Sequence, residues 1–141
     1  MLKNYSVLEA AGEIAQKKFA APATTIRSDQ DFRVNFTVTN TGQVAFTASV
    51  EAQAVGPAYT YSAKAMDTPV DPAQSFTRNV VFLRSSFGIA SWTPGTYGIV
   101  VILRDAATQK VLDQMSLPGE LIISAPAVAA GKLSGVSVML L

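Results

Sequence analysis

A β-sandwich, two antiparallel sheets packed face to face, is predicted for most of this 141-residue chain. Three observations predict it. Residues 32–39 alternate cleanly, with Phe32, Val34, Phe36 and Val38 on one side and Arg33, Asn35, Thr37 and Thr39 on the other. That period of two is the mark of a half-buried strand. Residues 95–104 form a second strand, which is apolar on both faces at Ile99-Val-Val-Ile-Leu103, as a central strand tends to be. Finally, about eight short apolar runs follow one another with strong turn residues between them, the spacing of a sandwich.

The elements read in order as follows. Residues 1–18 form an N-terminal arm or a short helix: Tyr5, Leu8, Ala11, Ala15 and Phe19 fall at helical spacing, but Gly12 weakens a helix and Tyr5–Leu8 also suit a short strand. Residues 19–26 are a first edge strand, where Pro22 loses nothing by lacking an N–H. Ser28-Asp-Gln-Asp31 is a turn. Asn40-Thr-Gly42 turns the chain after the alternating strand, Asn and Gly being able to take positive φ. Residues 44–55 are a strand with Val44, Phe46, Ala48, Val50 and Ala52 on one face, broken by Gly56-Pro57. A shorter strand runs over 59–66. Residues 67–72, with two prolines, are a rigid loop. Residues 74–83 resume strand character with Phe76, Val80 and Phe82 inward, and 84–92 are long enough to cross between sheets. Residues 105–110 are a hairpin turn, 111–117 pair back, Pro118-Gly119 end that strand, and 121–124 form another. Residues 125–141 are a C-terminal arm, rich in Ala, Gly and Ser, with an apolar end of Val136, Val138, Met139, Leu140 and Leu141.

Composition excludes several classes of chemistry. His and Cys are both 0, so there is no imidazole base, no thiol nucleophile and no His or Cys metal site. Without cysteine, either redox compartment is tolerable. A chain of this size forms one domain and needs no disulfide staple. Charged residues are 15%, against a usual share of about 25%, and the net charge is +1 from 11 basic and 10 acidic residues. Lys17-Lys18 is the only basic pair, so no electrostatic footprint for nucleic acid exists. No apolar run reaches the roughly 20 residues of a membrane helix. Residues 1–13 contain no signal-peptide core, which points to a product made in the cytoplasm.

The acids Asp29 and Asp31, Asp67 and Asp71, and Asp105 all sit at turns. A carboxylate pair can serve glycoside hydrolysis or hold Ca²⁺, but Asp is favoured in turns for bonding its own backbone, and that is the reading taken. Tyr59, Tyr61, Phe87 and Trp92 serve core and loop packing on the ordinary reading. Stacking on sugar rings is the competing use, with Trp92 and Phe87 as the candidate glycan-binding residues.

The 32–42 stretch, alternating apolar residues followed by Asn40-Thr-Gly42, resembles a strand and turn of bacterial and phage immunoglobulin-like domains. Pro94-Gly-Thr-Tyr97, with the hairpin turn at Asp105, resembles the entry to their strand F and the hairpin beyond. The resemblance covers about residues 19–124. It implies an immunoglobulin-like antiparallel β-sandwich with N- and C-terminal arms, and a "tyrosine corner" at Tyr97. Trp92 lies just before strand F and does not match the antibody core tryptophan. Such domains are common in virion proteins. The expectation is therefore a non-enzymatic structural protein, a capsid decoration (cement) or tail accessory protein, that requires no cofactor. Its partners are a major capsid or tail protein and further copies of itself, contacted through sheet edges and through Tyr5, Leu8, Val136, Val138, Met139, Leu140 and Leu141. A carbohydrate- or cell-surface-binding module is the competing expectation.

Overall fold

A computed structural model of the chain describes residues 10–15 and 24–125. Among the described residues nine strands build two sheets. The smaller sheet has the order β1 (Gly12–Ala15), β3 (Phe32–Asn40), β7 (Ser75–Phe82). The larger has the order β2 (Thr24–Arg27), β9 (Val111–Ser124), β8 (Gly95–Asp105), β4 (Phe46–Val55), β5 (Thr60–Lys64), and β6 (Thr68–Val70) pairs with the start of β4. The chain changes sheet on either side of β2, between β3 and β4, and again on either side of β7. This is an immunoglobulin-like sandwich in which the first strand position is divided between both sheets.

The alternation in β3 survives intact. Val34, Phe36 and Val38 are buried, and the residues between them point outward. They meet Ala48, Val50, Ala52 and Ala54 of β4, and Tyr97, Ile99, Val101 and Leu103 of β8, in one continuous core. Small alanines on β4 lie beside the larger side chains of β8 on the inner face of the same sheet, which leaves room for the facing layer to interdigitate at the density of a protein interior.

Four expectations are corrected. The sheets are not wholly antiparallel: β2 runs parallel to β9, with Thr24 opposite Leu121 and Arg27 opposite Ser124. A parallel neighbour cannot be joined by a hairpin, and here most of the chain separates the two strands. Residues 67–72 are not simply a loop, because Thr68–Val70 pair with Phe46–Ala48 and Val70 is buried. The prolines hid this strand, but Pro69 is tolerated on a three-residue edge piece. Pro118-Gly119 do not end a strand either. β9 continues to Ser124 through a bulge, its register against β8 shifting between Tyr97 and Ile99, and Gly119 takes φ +66°. Lastly, within the stretch read as an arm or short helix, Gly12–Ala15 form β1, which pairs with Thr37–Asn40.

Asn40 holds its turn by a different device from the one expected, since neither it nor Gly42 adopts positive φ. The side chain is fully buried. Its amide donates to the Val44 carbonyl at 2.8 Å and the Val70 carbonyl at 3.0 Å, and its oxygen accepts from the Gly42 N–H at 3.0 Å. One polar group thus ties β3, the following turn and β6 together, each bond relieving a backbone group that burial would otherwise leave unpaired.

Candidate functional site

Two regions of the described chain carry features that ordinary packing does not require: an aromatic cluster at the loop end of the sandwich, and the outer face of the larger sheet.

The aromatic cluster centres on Trp92. Its ring meets Tyr61 at 4.9 Å, Phe32 at 5.3 Å and Phe87 at 5.3 Å between centroids, each edge-to-face. Its indole N–H donates to the Gln30 carbonyl at 2.7 Å, and its backbone N–H to the Ser28 carbonyl at 2.8 Å. The residue is 1% exposed. Core packing, the ordinary reading of Trp92, therefore holds, and the competing glycan-binding reading is corrected: the ring is enclosed by the core, and a sugar stacks only on a face that water can reach. Phe87, in the short 3₁₀ helix Arg84–Phe87, is half-buried against Trp92, Tyr61 and Phe82. The ring left open at this end is Tyr59, 58% exposed, with its centroid 6.3 Å from Tyr61.

Hydrogen bonds make this end rigid. The Tyr97 hydroxyl donates to the Thr93 carbonyl, so the expected tyrosine corner is present, and Tyr61 Oη accepts from the Thr93 N–H at 3.1 Å. Arg84 closes the crossing loop. Its Nε and its backbone N–H both reach Asp31 Oδ1, at 2.8 and 2.9 Å, and Nη1 donates to the Ala90 carbonyl. The Arg84 backbone N–H, and then its guanidinium, hold the Asp31 carboxyl below its ordinary range.

Burial, reinforced by the neighbouring Tyr61, pushes the Tyr97 phenol up to about 12. The sign follows by linkage. Below pH 10 the phenol is neutral in both folded and unfolded chains. Between pH 10 and about 12 the unfolded chain releases the proton while the folded one keeps it, so stability falls as pH rises. The loss should reach about 3 kcal/mol, at about 1.4 kcal/mol per pH unit. Urea unfolding at stepped pH checks this, and Tyr97→Phe should remove that part of the slope.

The acids are mostly committed to local structure. Asp29 pairs with Arg27 at 3.0 Å, Glu51 with Arg104 at 2.9 Å, and Asp105 Oδ1 accepts from the Ala107 N–H at 2.9 Å in an Asx turn. Asp113 Oδ2 accepts from the Ile14 N–H at 2.8 Å and ties β1 to β9. Among the described residues no group of three or more acids is placed to hold a metal ion, and no helix is long and apolar enough to cross a membrane. An open cleft of about 330 Å³ at the opposite end is lined by Ala10, Val44, Phe46, Asp105, Lys110 and Leu112. Its one carboxylate already serves the Asx turn.

The two outer faces of the sandwich differ. On the smaller sheet, Asn35, Thr37 and Thr39 of β3 oppose Asn79, Thr77 and Ser75 of β7, and the hydroxyls bond across at 2.9 Å (Thr37–Thr77) and 2.7 Å (Thr39–Ser75). The larger sheet carries an aliphatic stripe instead. Along β8 the outward positions are Thr96, Gly98, Val100, Ile102 and Arg104. Val55 stands opposite Gly98, Gln53 and Ser116 flank Val100, Glu51 and Gln114 flank Ile102, and Ile122 stands opposite Thr96. Val55 is 39% exposed and Ile122 37%, whereas Val100 is half-buried and Ile102 is buried. Gly98 and the bulge at Pro118 leave an open groove of about 280 Å³ beside Val55 and Val100. The unbroken run at 99–103 signalled this face, since an antiparallel strand facing water on one side normally alternates.

Tyr5, Leu8, Val136, Val138, Met139, Leu140 and Leu141, expected to contact partners, lie outside the described residues.

No family model and no curated protein matches the chain. Solved structures do share its fold. The alkylpurine DNA glycosylase AlkC of Pseudomonas fluorescens, solved with DNA containing an abasic site analog, matches with TM-score 0.52 and 14% identity, over 80% of this chain and 31% of that one. A β-glucosidase from Listeria innocua, in complex with glucose, matches with TM-score 0.50 and 11% identity, over 87% of this chain and 18% of that one. This chain thus spans less than a third of either protein, and at such identities the likeness is one of fold alone.

Proposed function

We propose that this protein is a non-catalytic structural module of a large assembly, attached to its neighbours by sheet surfaces and terminal segments. The setting proposed is a phage virion, with the chain made in the host cytoplasm and acting as a capsid decoration or tail accessory protein. It takes no cofactor and does not engage nucleic acid or membrane. The observation that carries the reading is the apolar surface of Val55, the half-buried Val100 and Ile122 beside the open groove at Gly98 and Pro118, on the outer face of the larger sheet. Contiguous exposed apolar surface on a soluble domain marks a contact site. The acids tied into ion pairs and turns support the absence of catalysis from this reading.

Fractionation tests it. The chain should follow intact particles through a density gradient in stoichiometric amount. A version lacking residues 136–141 should still fold, by circular dichroism, and stay unbound at the top. Absence from particles, or undiminished binding of the truncated chain, overturns the reading. A second reading, a carbohydrate-binding module, is favoured by one observation, the exposed Tyr59 ring on a hydrogen-bonded loop end. Glycan binding abolished by Tyr59→Ala would support it, and a blank glycan array would remove it.

A further inference from the structure

We propose that the outer face of the larger sheet is a self-association surface, on which a second copy of this chain docks face to face about a two-fold axis near Val100. The inference deepens the assembly reading by naming one partner.

Composition of the face is the first argument. Its apolar centre is Val55 and the half-buried Val100 around the open groove, with Ile122 toward one corner and Ile102 only 8% exposed, and its surround is Gln53, Gln114, Ser116 and Thr96. An apolar centre inside a polar, hydrogen-bonding rim is the anatomy of a protein–protein interface. On the opposite outer face the Thr and Ser hydroxyls already satisfy one another, and its exposed Val81 stands opposite the charged Arg33 with no groove beside it among those described.

Charge is the second. Glu51 and Arg104 neutralise each other at 2.9 Å, and Lys64, opposite Glu51 on the edge strand β5, is the other charge of the central rows. A face so nearly neutral does not repel its own copy. A strongly charged partner would find little on it to pair with.

Area is the third. The five strands of the β2–β9–β8–β4–β5 path, at about 4.8 Å spacing and about 3.3 Å per residue, present a face of roughly 24 by 26 Å. Two such faces bury on the order of 1,200 Å² together, the lower end of the range for a specific interface. Stacked sheets pack about 10 Å apart with side chains interdigitated. The groove beside Gly98 and Pro118 receives a side chain from the other copy, and a two-fold axis makes that exchange reciprocal.

The chain has no cysteine, so single-cysteine variants report contacts between copies without background. Sedimentation equilibrium of the full chain should give a dimer in the micromolar range. Val100→Cys and Ser116→Cys should cross-link to covalent dimers with a short bismaleimide, and Thr37→Cys, on the other outer face, should not. Val55→Glu, at a position 39% exposed, should shift the equilibrium at least tenfold toward monomer while leaving the circular dichroism spectrum unchanged. A monomer at all concentrations up to about 1 mM, far above the affinity of an interface of this size, overturns the proposal. So does equal cross-linking at Thr37. A dimer that appears only after residues 126–141 are removed also overturns it, by showing that the tail is the occupant. The two readings fail separately: a chain absent from particles yet dimeric at this face overturns only the assembly reading, and a particle-bound chain that is monomeric in solution overturns only this one.

Discussion

Trp92→Ala should remove about 3–5 kcal/mol of folding stability, the cost of truncating a large ring in a packed core. Three aromatic partners, Phe32, Tyr61 and Phe87, would each lose an edge-to-face contact, and the Gln30 carbonyl would lose its donor. Against a total stability of about 5–15 kcal/mol for an ordinary domain, that leaves a marginal protein or an unfolded one. Trp92 is the sole tryptophan, so its fluorescence disappears with it, and urea unfolding followed by circular dichroism is the measurement. Trp92→Phe should cost less, about 2 kcal/mol, because a ring remains and the main loss is the hydrogen bond to Gln30. A Trp92→Ala protein of wild-type stability would return this ring to the surface and reopen its use as a binding platform.

Gly56→Ala should destabilise by about 3 kcal/mol, a large effect for one methyl group. A Cβ at this position would stand 2.4 Å from Tyr97 Cε2, 2.7 Å from Cδ2 and 2.8 Å from Cζ. The ring cannot swing aside. It is 1% exposed, and its hydroxyl is tied to the Thr93 carbonyl. Gly56 does not sit in the left-handed region, so backbone strain adds nothing. At a roomy position of that kind, Gly→Ala would stabilise by about 0.4–1 kcal/mol through the unfolded state, so even the sign tests the contact. Combining Gly56→Ala with Tyr97→Leu should cost clearly less than the sum of the two single changes, since both act on one contact.

The strand that alternates most cleanly in sequence, β3, was legible residue by residue, because one side of it faces a core and the other faces solvent. Tyr97 was legible too, through a motif whose hydrogen bond is local, four residues back to Thr93. What escaped the sequence depends on distant partners. β6 exists because Phe46 and Ala48 offer it an edge, and nothing within Thr68-Pro-Val70 announces that. The Pro118-Gly119 pair reads as a strand end locally, but β8 on the far side holds both halves of β9 in one ladder. For Trp92 the preferred packing reading holds, and the competing use as a ligand platform falls away once Phe32 and Tyr61, brought in from two strands, close over it. The aliphatic stripe was half legible. Ile99–Leu103 showed an apolar central strand, whereas Val55 and Ile122 join it only through the register of β4 and β9.

The parallel pairing of β2 with β9 has a mechanical consequence. Tension applied between Thr24, where β2 begins, and Ser124, where β9 ends, pulls the two strands in opposite directions along their common axis. The rungs from Thr24–Leu121 to Arg27–Ser124 are then loaded together, in shear, instead of one after another as in a hairpin being unzipped. Four rungs sharing the load in this way resist stretching along that line better than the same four would if opened in turn.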